Sequence, residues 1–177
     1  LCLLLASAMA GAAAPTPTPT ETVHVAVDRV FEVLRQPGLS QSQRWSDIGA
    51  VINDRFDFRS MSQSVLATSW KEASTEEKRQ FVEYFSQYLE DTYRNRIEAI
   101  TSSRVEYLGE QVRNDRATVD TLVITPGRRV PITYRLKNNE GQWMAYDVVI
   151  DGDSLVNNYR DTFSAIVKAG GMDGLLT

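Results

Sequence analysis

The chain has 177 residues, of which 42% are hydrophobic and 24% are charged. This composition is typical of one ordinary globular domain, and it excludes a collagen-like or wholly disordered protein. The 23 acidic residues outnumber the 19 basic ones, so the net charge is −4 and there is no overall basic field to attract nucleic acid.

Residues 1–14 form an apolar segment, and no charged residue precedes Glu21. The segment is shorter than the about 20 residues that span a bilayer, and its small residues Ala12 and Ala14 have the spacing of a signal-peptide cleavage site. We therefore expect a secretory signal peptide at 1–14. Its beginning is expected to be missing, because the chain starts at Leu1 without a basic segment. The alternative is a short terminal helix of the folded domain.

The only cysteine, Cys2, lies inside this segment, so the mature chain would need no disulfide. Export and the absence of a lipid-modified cysteine together predict a periplasmic location. Residues 15–20 alternate proline and threonine and predict an extended linker. The remaining residues, 21–177, are expected to form a single domain.

Residues 21 to about 100 are predicted to be helical, because apolar residues recur at three- and four-residue steps. The strongest segment begins at Ser74, which has capping-box spacing to Glu77 and is followed by about seven turns. On its polar face, Glu90 and Arg94 are spaced for a helical ion pair. Shorter helices are predicted before it, the first ending at Pro37-Gly38.

The apolar period changes from 3.6 to 2 after Ser103. Four strands are predicted at residues 105–108, 117–124, 130–136 and 143–150, with turn residues between them. The short connections predict an antiparallel meander. A last helix follows Gly152 and ends at Gly170-Gly171. The fold class is therefore α+β: N-terminal helices and a C-terminal helix pack on one face of a curved four-stranded antiparallel sheet, in a cone-shaped, NTF2-like arrangement.

The sequence offers little for catalysis. The single histidine, His24, and the lack of a mature cysteine exclude Ser-His-Asp and Cys-His arrangements, and the familiar metal and phosphate-loop motifs are absent. Asp120 and Asp147 remain candidates for a general base, since each lies in an otherwise apolar strand. The simpler interpretation is that both face solvent. Ten tyrosines and tryptophans, mostly at inward positions, would suit the wall of an apolar cavity, although such a stripe is more often solid core.

Residues 150–163 read IDGDSLVNNYRDTF and closely resemble the SL-x-x-NYR-x-x-F signature of the MlaC family, periplasmic phospholipid-binding components of the Mla lipid-transport system that are also called the toluene-tolerance family. Further similarities are the Arg55-Phe56-Asp57-Phe58-x-x-Met61 segment, Trp70, the Trp143-x-x-x-Asp147-Val148 strand and the segment GGMDGLL at 170–176. The resemblance covers about residues 25 to 177. Relatives continue beyond the point where this chain stops.

The resemblance implies a carrier that is not an enzyme, needs no cofactor or metal, and holds phospholipid acyl chains between helices and sheet. Its implied partners are an inner-membrane ABC transporter complex with a ring-forming MCE-domain protein and an outer-membrane lipoprotein complex. Such a carrier, expected to be a monomer, would maintain outer-membrane lipid asymmetry. Two other hypotheses stay open: a small isomerase-like enzyme with an Asp base, and a structural periplasmic adaptor.

A carrier of this kind would bind lipid too tightly to release it into water. Burying the about 30 methylenes of two acyl chains would yield roughly 24 kcal/mol, above the roughly 18 to 21 kcal/mol at which affinities saturate. Lipid would therefore pass directly to a docked partner.

Family position and helical or strand phase together predict the lipid-binding side chains. Arg160 is the candidate for a rim or structural ion-pair role. The predicted lipid-binding residues are Phe58, Met61, Leu66, Trp70, Phe85, Tyr88, Leu89, Ile132, Tyr134, Tyr146, Val148, Ile150, Leu155, Tyr159 and Phe163.

Overall fold

The computed structural model describes residues 16–176, so the signal peptide predicted at 1–14 lies outside the described residues. Within this range the helices are α1 (Pro19–Arg35), α2 (Gln41–Arg55), α3 (Phe58–Leu66), α4 (Thr68–Glu72), α5 (Thr75–Ala99), α6 (Leu155–Gly170) and α7 (Asp173–Leu176). The strands are β1 (Arg104–Arg113), β2 (Arg116–Thr125), β3 (Arg128–Asn139), β4 (Gln142–Ile150) and β5 (Asp153–Ser154). No helix among the described residues has both the length and the hydropathy to cross a bilayer.

The first helix begins earlier than the sequence pattern predicts. Thr18 is its N-cap: the Thr18 hydroxyl accepts a hydrogen bond from the Glu21 backbone N–H, and the Glu21 carboxylate accepts one from the Thr18 N–H at 2.8 Å. Pro19 fits the first helical position because no N–H is needed there. Pro19 and Thr20 therefore belong to α1, whereas the sequence places them in the linker at 15–20.

The long helix α5 matches the prediction closely. Ser74 and Glu77 form the capping box at its start, and its 25 residues give about seven turns. Arg94 and Glu90 form the expected ion pair, with 3.3 Å between Nη2 and Oε1. The two halves of α5 have different neighbours: the first packs with α3 and α6, and the second contacts α2 and the end of α1.

The sheet is an antiparallel meander in the order β1-β2-β3-β4-β5, which confirms the predicted α+β fold. The structure adds a fifth strand, the two-residue β5, to the four that were predicted. The helices cover one face of this curved sheet. Strand β4 contacts α2, α3 and α6, whereas α1 lies against β1 and β2.

A bulge in β4 changes which of its side chains face the helices. Arg135 pairs with Asp147 and the next residue of β3, Leu136, pairs with Ala145, so Tyr146 has no partner in the ladder. Without the bulge, Tyr146 and Val148 would share a face. With it, Ala145 and Val148 both face the helices, and Tyr146 does not.

Candidate functional site

An apolar cavity of about 460 Å³ lies between the helices and the sheet. This volume falls in the range of ligand-binding cavities, about 300–1,000 Å³. The helical wall includes Val27, Val30, Phe31, Ile52, Phe56, Phe58, Met61, Leu89, Tyr93, Ile97 and Ile100, and the strand wall includes Val105, Val123, Ile132, Tyr134, Leu136, Ala145, Val148 and Ile150. Leu155, the first residue of α6, closes the wall at one end.

The cavity exists because the core is divided. Buried apolar residues form three separate clusters in the described part of the chain, whereas a compact domain usually has one contiguous core. Helix α6 packs against the first half of α5, and its side chains fill the space beside that half. In the second half of α5, Tyr93 and Ile97 line the open space, and Tyr93 also packs against the edge of the α6 cluster.

The charged and amide side chains that border the cavity all lie on one side. They come from the C-terminal half of α2, with Asn53 and Arg55, and from the middle of α5, with Glu83, Gln87 and Glu90. Asn53, Glu83 and Gln87 are exposed. This arrangement places the mouth of the cavity between α2 and α5, with an apolar interior and a polar rim.

The structure brings about half of the predicted lipid-binding residues together on the cavity wall. They come from α3 and α5, from β3 and β4, and from the start of α6. Strands β3 and β4 contribute cross-strand pairs, Ile132 with Ile150 and Tyr134 with Val148. The predicted residues on the wall are Phe58, Met61, Leu89, Ile132, Tyr134, Val148, Ile150 and Leu155.

Most of the other predicted residues lie in the solid cluster next to the cavity. Phe85 and Phe163 are buried there, with Leu66 and Trp70 beside them, and none of these four lines the cavity. The rings stack edge to face: Phe85 lies 5.6 Å from Tyr159, and Tyr88 lies 5.5 Å from Tyr159. Side chains of α6 occupy this space, so Phe85, Tyr159 and Phe163 form a packed core, and Tyr88 lies at its surface.

Two further predicted residues lie outside the cavity. Tyr146 is turned away by the bulge and packs under the Arg116 guanidinium at 4.7 Å. The Arg160 Nε donates a hydrogen bond to the Ser64 carbonyl oxygen at 2.8 Å and so connects α6 to α3. Arg160 is thus not on the rim of the cavity, and its structural contact is with a backbone carbonyl rather than with a carboxylate.

The lipid-binding residues predicted from the sequence include none from α1, from α2 or from the part of α5 beyond Leu89, although these elements also line the cavity. Val27, Val30, Ile52, Ile97 and Ile100 all lie on helical faces that the apolar periodicity indicates, yet periodicity does not show whether such a face meets another side chain or an empty space. Their partial exposure in the folded chain is the signal that distinguishes them.

Two tyrosine hydroxyls lie in apolar surroundings, that of Tyr134 at the cavity wall and that of Tyr107 in the neighbouring cluster. Burial raises the pKa of Tyr134 to about 12. Burial, followed by the neighbouring Tyr134 and Asp28, also raises the pKa of Tyr107. The Tyr107 hydroxyl is buried without a hydrogen-bond partner, and it lies against the cluster that contains Val23 and Leu136. Both phenols therefore stay protonated at neutral pH.

Neither candidate general base lies in the cavity wall. Asp147 is buried, and its carboxylate accepts hydrogen bonds from Arg135 at 2.9 Å, from the Ser154 hydroxyl at 2.7 Å and from the Val156 N–H at 3.1 Å. Because Val156 is in the first turn of α6, the carboxylate also stabilises the positive end of that helix. Asp120 accepts a hydrogen bond from the Thr133 hydroxyl at 2.6 Å.

Between residues 16 and 176, no three side chains of the His, Cys, Asp or Glu type come together as metal ligands. Among the residues that line the cavity, the charged ones are Arg55, Glu83 and Glu90, all near the mouth. The interior offers apolar surface and a tyrosine hydroxyl. Such a site is suited to hold long hydrocarbon chains with a polar group outside.

Comparison with known proteins agrees with this geometry. The family model described as "MlaC protein" matches residues 24–177, nearly all of the described chain. The chain belongs to the MlaC family. A curated relative is the intermembrane phospholipid transport system binding protein MlaC of Haemophilus influenzae, 24% identical over 119 residues, which are 64% of this chain. The matched region spans 56% of that relative's length.

A solved structure with the same fold is the phospholipid-binding protein of Ralstonia solanacearum in complex with a phospholipid. The TM-score is 0.81 and the sequence identity is 26%, with 88% of this chain and 90% of that chain covered. The MlaC fold is therefore present in this chain over nearly its full length. The structural match also agrees with the predicted arrangement of helices on one face of a curved sheet.

Proposed function

We propose that this protein is a periplasmic phospholipid carrier that holds acyl chains in the cavity between its helices and its sheet. The observation that carries the proposal is the cavity of about 460 Å³ with largely apolar walls and its charged residues near the mouth, in a chain of the MlaC family. The related protein of Ralstonia solanacearum, solved with a phospholipid, supports the same ligand. The headgroup would lie at the mouth, near Asn53, Gln87 and Glu90.

The energetics favour a direct transfer of lipid between proteins. Each methylene that leaves water for the cavity contributes about 0.8 kcal/mol, so release of a whole acyl chain into water would be very slow. A carrier of this kind therefore delivers its lipid to a docked protein. The proposed partners are the inner-membrane ABC transporter complex and the outer-membrane lipoprotein complex of the lipid-transport system. In that role the protein is not an enzyme.

The alternative hypothesis, an isomerase-like enzyme, receives no support from the geometry. Its candidate base Asp147 already accepts three hydrogen bonds, and Asp120 is engaged by Thr133. Both lie outside the cavity wall. Of the acidic groups near the mouth, Glu83 is exposed and Glu90 is partly buried in an ion pair with Arg94.

The proposal is tested by native mass spectrometry and by solvent extraction of the purified protein. We expect a phospholipid at near-unit stoichiometry in the parent protein. In the double variant Ile132→Phe, Ile150→Phe, added ring volume enters the cavity from neighbouring strands, and the lipid content should fall by at least half. The matched control is Leu122→Phe, Ile124→Phe, because neither residue lines the cavity.

Two results would count against the carrier. One is a parent protein without bound phospholipid after expression in a bacterium. The other is an equal lipid content in the cavity variant and the control, which would show that the lipid binds elsewhere. Thermal unfolding of each variant separates loss of lipid from loss of the fold.

A further inference from the structure

A second concave surface, here called the basic groove, lies between the α3–α4 segment and the strands β2, β3 and β4. It has a volume of about 670 Å³, and its charged residues are Lys71, Arg116, Lys137 and Arg160. None of its described lining residues is acidic. The groove shares no residue with the apolar cavity, and α3 separates the two, with Met61 on the cavity side and Ser64 on the groove side.

Two of these cations, Arg116 and Arg160, are anchored by contacts within the chain. The Arg160 Nε is anchored to the Ser64 carbonyl oxygen, and the Arg116 guanidinium lies over the Tyr146 ring. Arg116 and Lys137 are also cross-strand neighbours on β2 and β3. A side chain that is already ordered loses less conformational entropy when a ligand binds, so the groove is prepared for an occupant.

The positive charge of the groove is only partly neutralised from within the chain, chiefly by Asp57, whose carboxylate interacts electrostatically with Lys137. Among the described residues, Lys71, Lys137 and Arg160 form no ion pair within 4.0 Å, and Arg116 has only Asp115 at 3.9 Å. This concentration of positive charge occurs in a protein whose net charge is −4. An acidic partner is therefore repelled by the chain as a whole and attracted at this surface, which favours a specific orientation of approach.

We propose that the basic groove docks an acidic segment of a partner protein. Lys137 and Arg160 are only partly exposed within this concave surface, where a protruding polypeptide reaches them more readily than a flat lipid surface does. The hydroxyl and amide side chains of Ser60, Gln63 and Thr68 also line the groove and can hydrogen-bond to a bound backbone. The inference rests on the proposed carrier function only in that a carrier needs a partner.

A partner bound in the groove would contact the outer surface of α3. The inner side chains of this helix, Phe58 and Met61, form part of the cavity wall. The partner would thus be positioned beside the lipid without covering the mouth between α2 and α5. This geometry leaves the mouth available for transfer while the groove supplies the orientation.

The test uses the purified full chain and a fluorescein-labelled twelve-residue peptide of alternating glutamate and glycine. Binding is measured by fluorescence anisotropy at low and at high salt. The groove variant is Lys71→Gln, Lys137→Gln, and its control is Arg113→Gln, Lys168→Gln, which changes the net charge equally at exposed residues outside the groove. We expect the groove variant to weaken binding about tenfold and the control less than twofold, with the difference disappearing at high salt.

An equal effect of both variants, or no binding of the peptide by the parent protein, would overturn the proposal. A parallel measurement with phosphatidylglycerol vesicles tests the alternative occupant. Vesicle binding that depends on Lys71 and Lys137, without peptide binding, would assign the groove to a membrane surface and refute the inference. The lipid content of each variant is measured in parallel. An unchanged content in a variant that no longer binds the peptide separates this inference from the carrier proposal.

Discussion

Removal of the Asp147 carboxylate is expected to destabilise the fold strongly, because this group connects three elements. It accepts hydrogen bonds from Arg135 on β3, from the Ser154 hydroxyl in β5 and from the Val156 N–H in α6. Asp147 itself is only 3% exposed. In Asp147→Ala, the Ser154 hydroxyl and the Val156 N–H would be left without this acceptor in a buried location.

The magnitude follows from these contacts. Hydrogen bonds to a charged group contribute about 1.5–3 kcal/mol each, and removal of one partner from a buried ion pair costs about 3–5 kcal/mol. The Arg135 side chain is 41% exposed, so water hydrates it once the carboxylate is gone. The expected loss of stability therefore lies at the lower end of the range for a buried ion pair. We expect Asp147→Ala to lower the free energy of unfolding by about 3 kcal/mol, which corresponds to roughly 6–12 °C in Tm for a domain of this size.

The assay is urea unfolding followed by circular dichroism at neutral pH. Asp120→Ala is the matched control, because this aspartate lies in a neighbouring strand and accepts one side-chain hydrogen bond, from Thr133. Its expected cost is about 1 kcal/mol. A double-mutant cycle with Arg135→Met should give a coupling energy above about 0.5 kcal/mol.

The structural role of Asp147 would be refuted by a loss below about 1 kcal/mol in Asp147→Ala with an unchanged slope against urea. A loss equal to that of the Asp120 control would lead to the same conclusion. If, in addition, Asp147→Ala abolished a proton-exchange activity of the parent protein on a small ketone, the isomerase-like hypothesis would replace the structural one.

Three further predictions concern local backbone features. Gly49→Ala should raise the free energy of unfolding by about 0.8 kcal/mol in urea, because alanine favours the helix and its Cβ would meet Glu90 at an ordinary 3.5 Å; a loss of stability would show that α2 cannot accept it. Burial raises the pKa of Asp57, but hydrogen bonds from Ser60 and Asn139 and the charge of Lys137 together outweigh it and leave the pKa below the usual 3.8. Asp57 therefore stabilises the fold above about pH 3.8, so Asp57→Ala should cost about 1 kcal/mol at pH 7 and progressively less as the pH falls below 3.8; an equal cost at pH 7 and pH 3 would contradict this. Ala67 has a φ of 49°, so Ala67→Gly should stabilise by about 1 kcal/mol in thermal unfolding, and a decrease in Tm would contradict the strain.

Much of the fold follows from local patterns that act within one element. The capping box at Ser74 and Glu77 defines the start of α5, and the change of period after Ser103 separates the helical part from the sheet. The signature around Asn158 and Tyr159 indicates the family, which the family match confirms. These features depend on neighbouring residues in the chain, so the sequence alone was enough to predict them.

The start of α1 and the face of β4 show where local patterns were insufficient. The alternating prolines suggested an extended linker, but Thr18 and Glu21 cap a helix that includes Pro19. Alternation assigned Tyr146 to the inner face of the sheet, but the bulge opposite Arg135 and Leu136 turns it toward the basic groove. A single inserted residue reverses the direction of a side chain, and nothing in the alternation of apolar residues marks its position.

The sequence by itself determined the α+β class, the long helix, the antiparallel order of the main strands and an apolar interior rich in aromatic residues. Only the tertiary structure decided which part of that interior is solid and which is hollow. Phe85 and Tyr93 lie on the same helix, two turns apart, and both look like core residues in the sequence. Helix α6 packs over Phe85, which is fully buried, whereas Tyr93 packs at the edge of the same cluster and also lines the cavity. Hydrophobic periodicity does not distinguish the two, because it records that a side chain avoids water but not which group replaces the water.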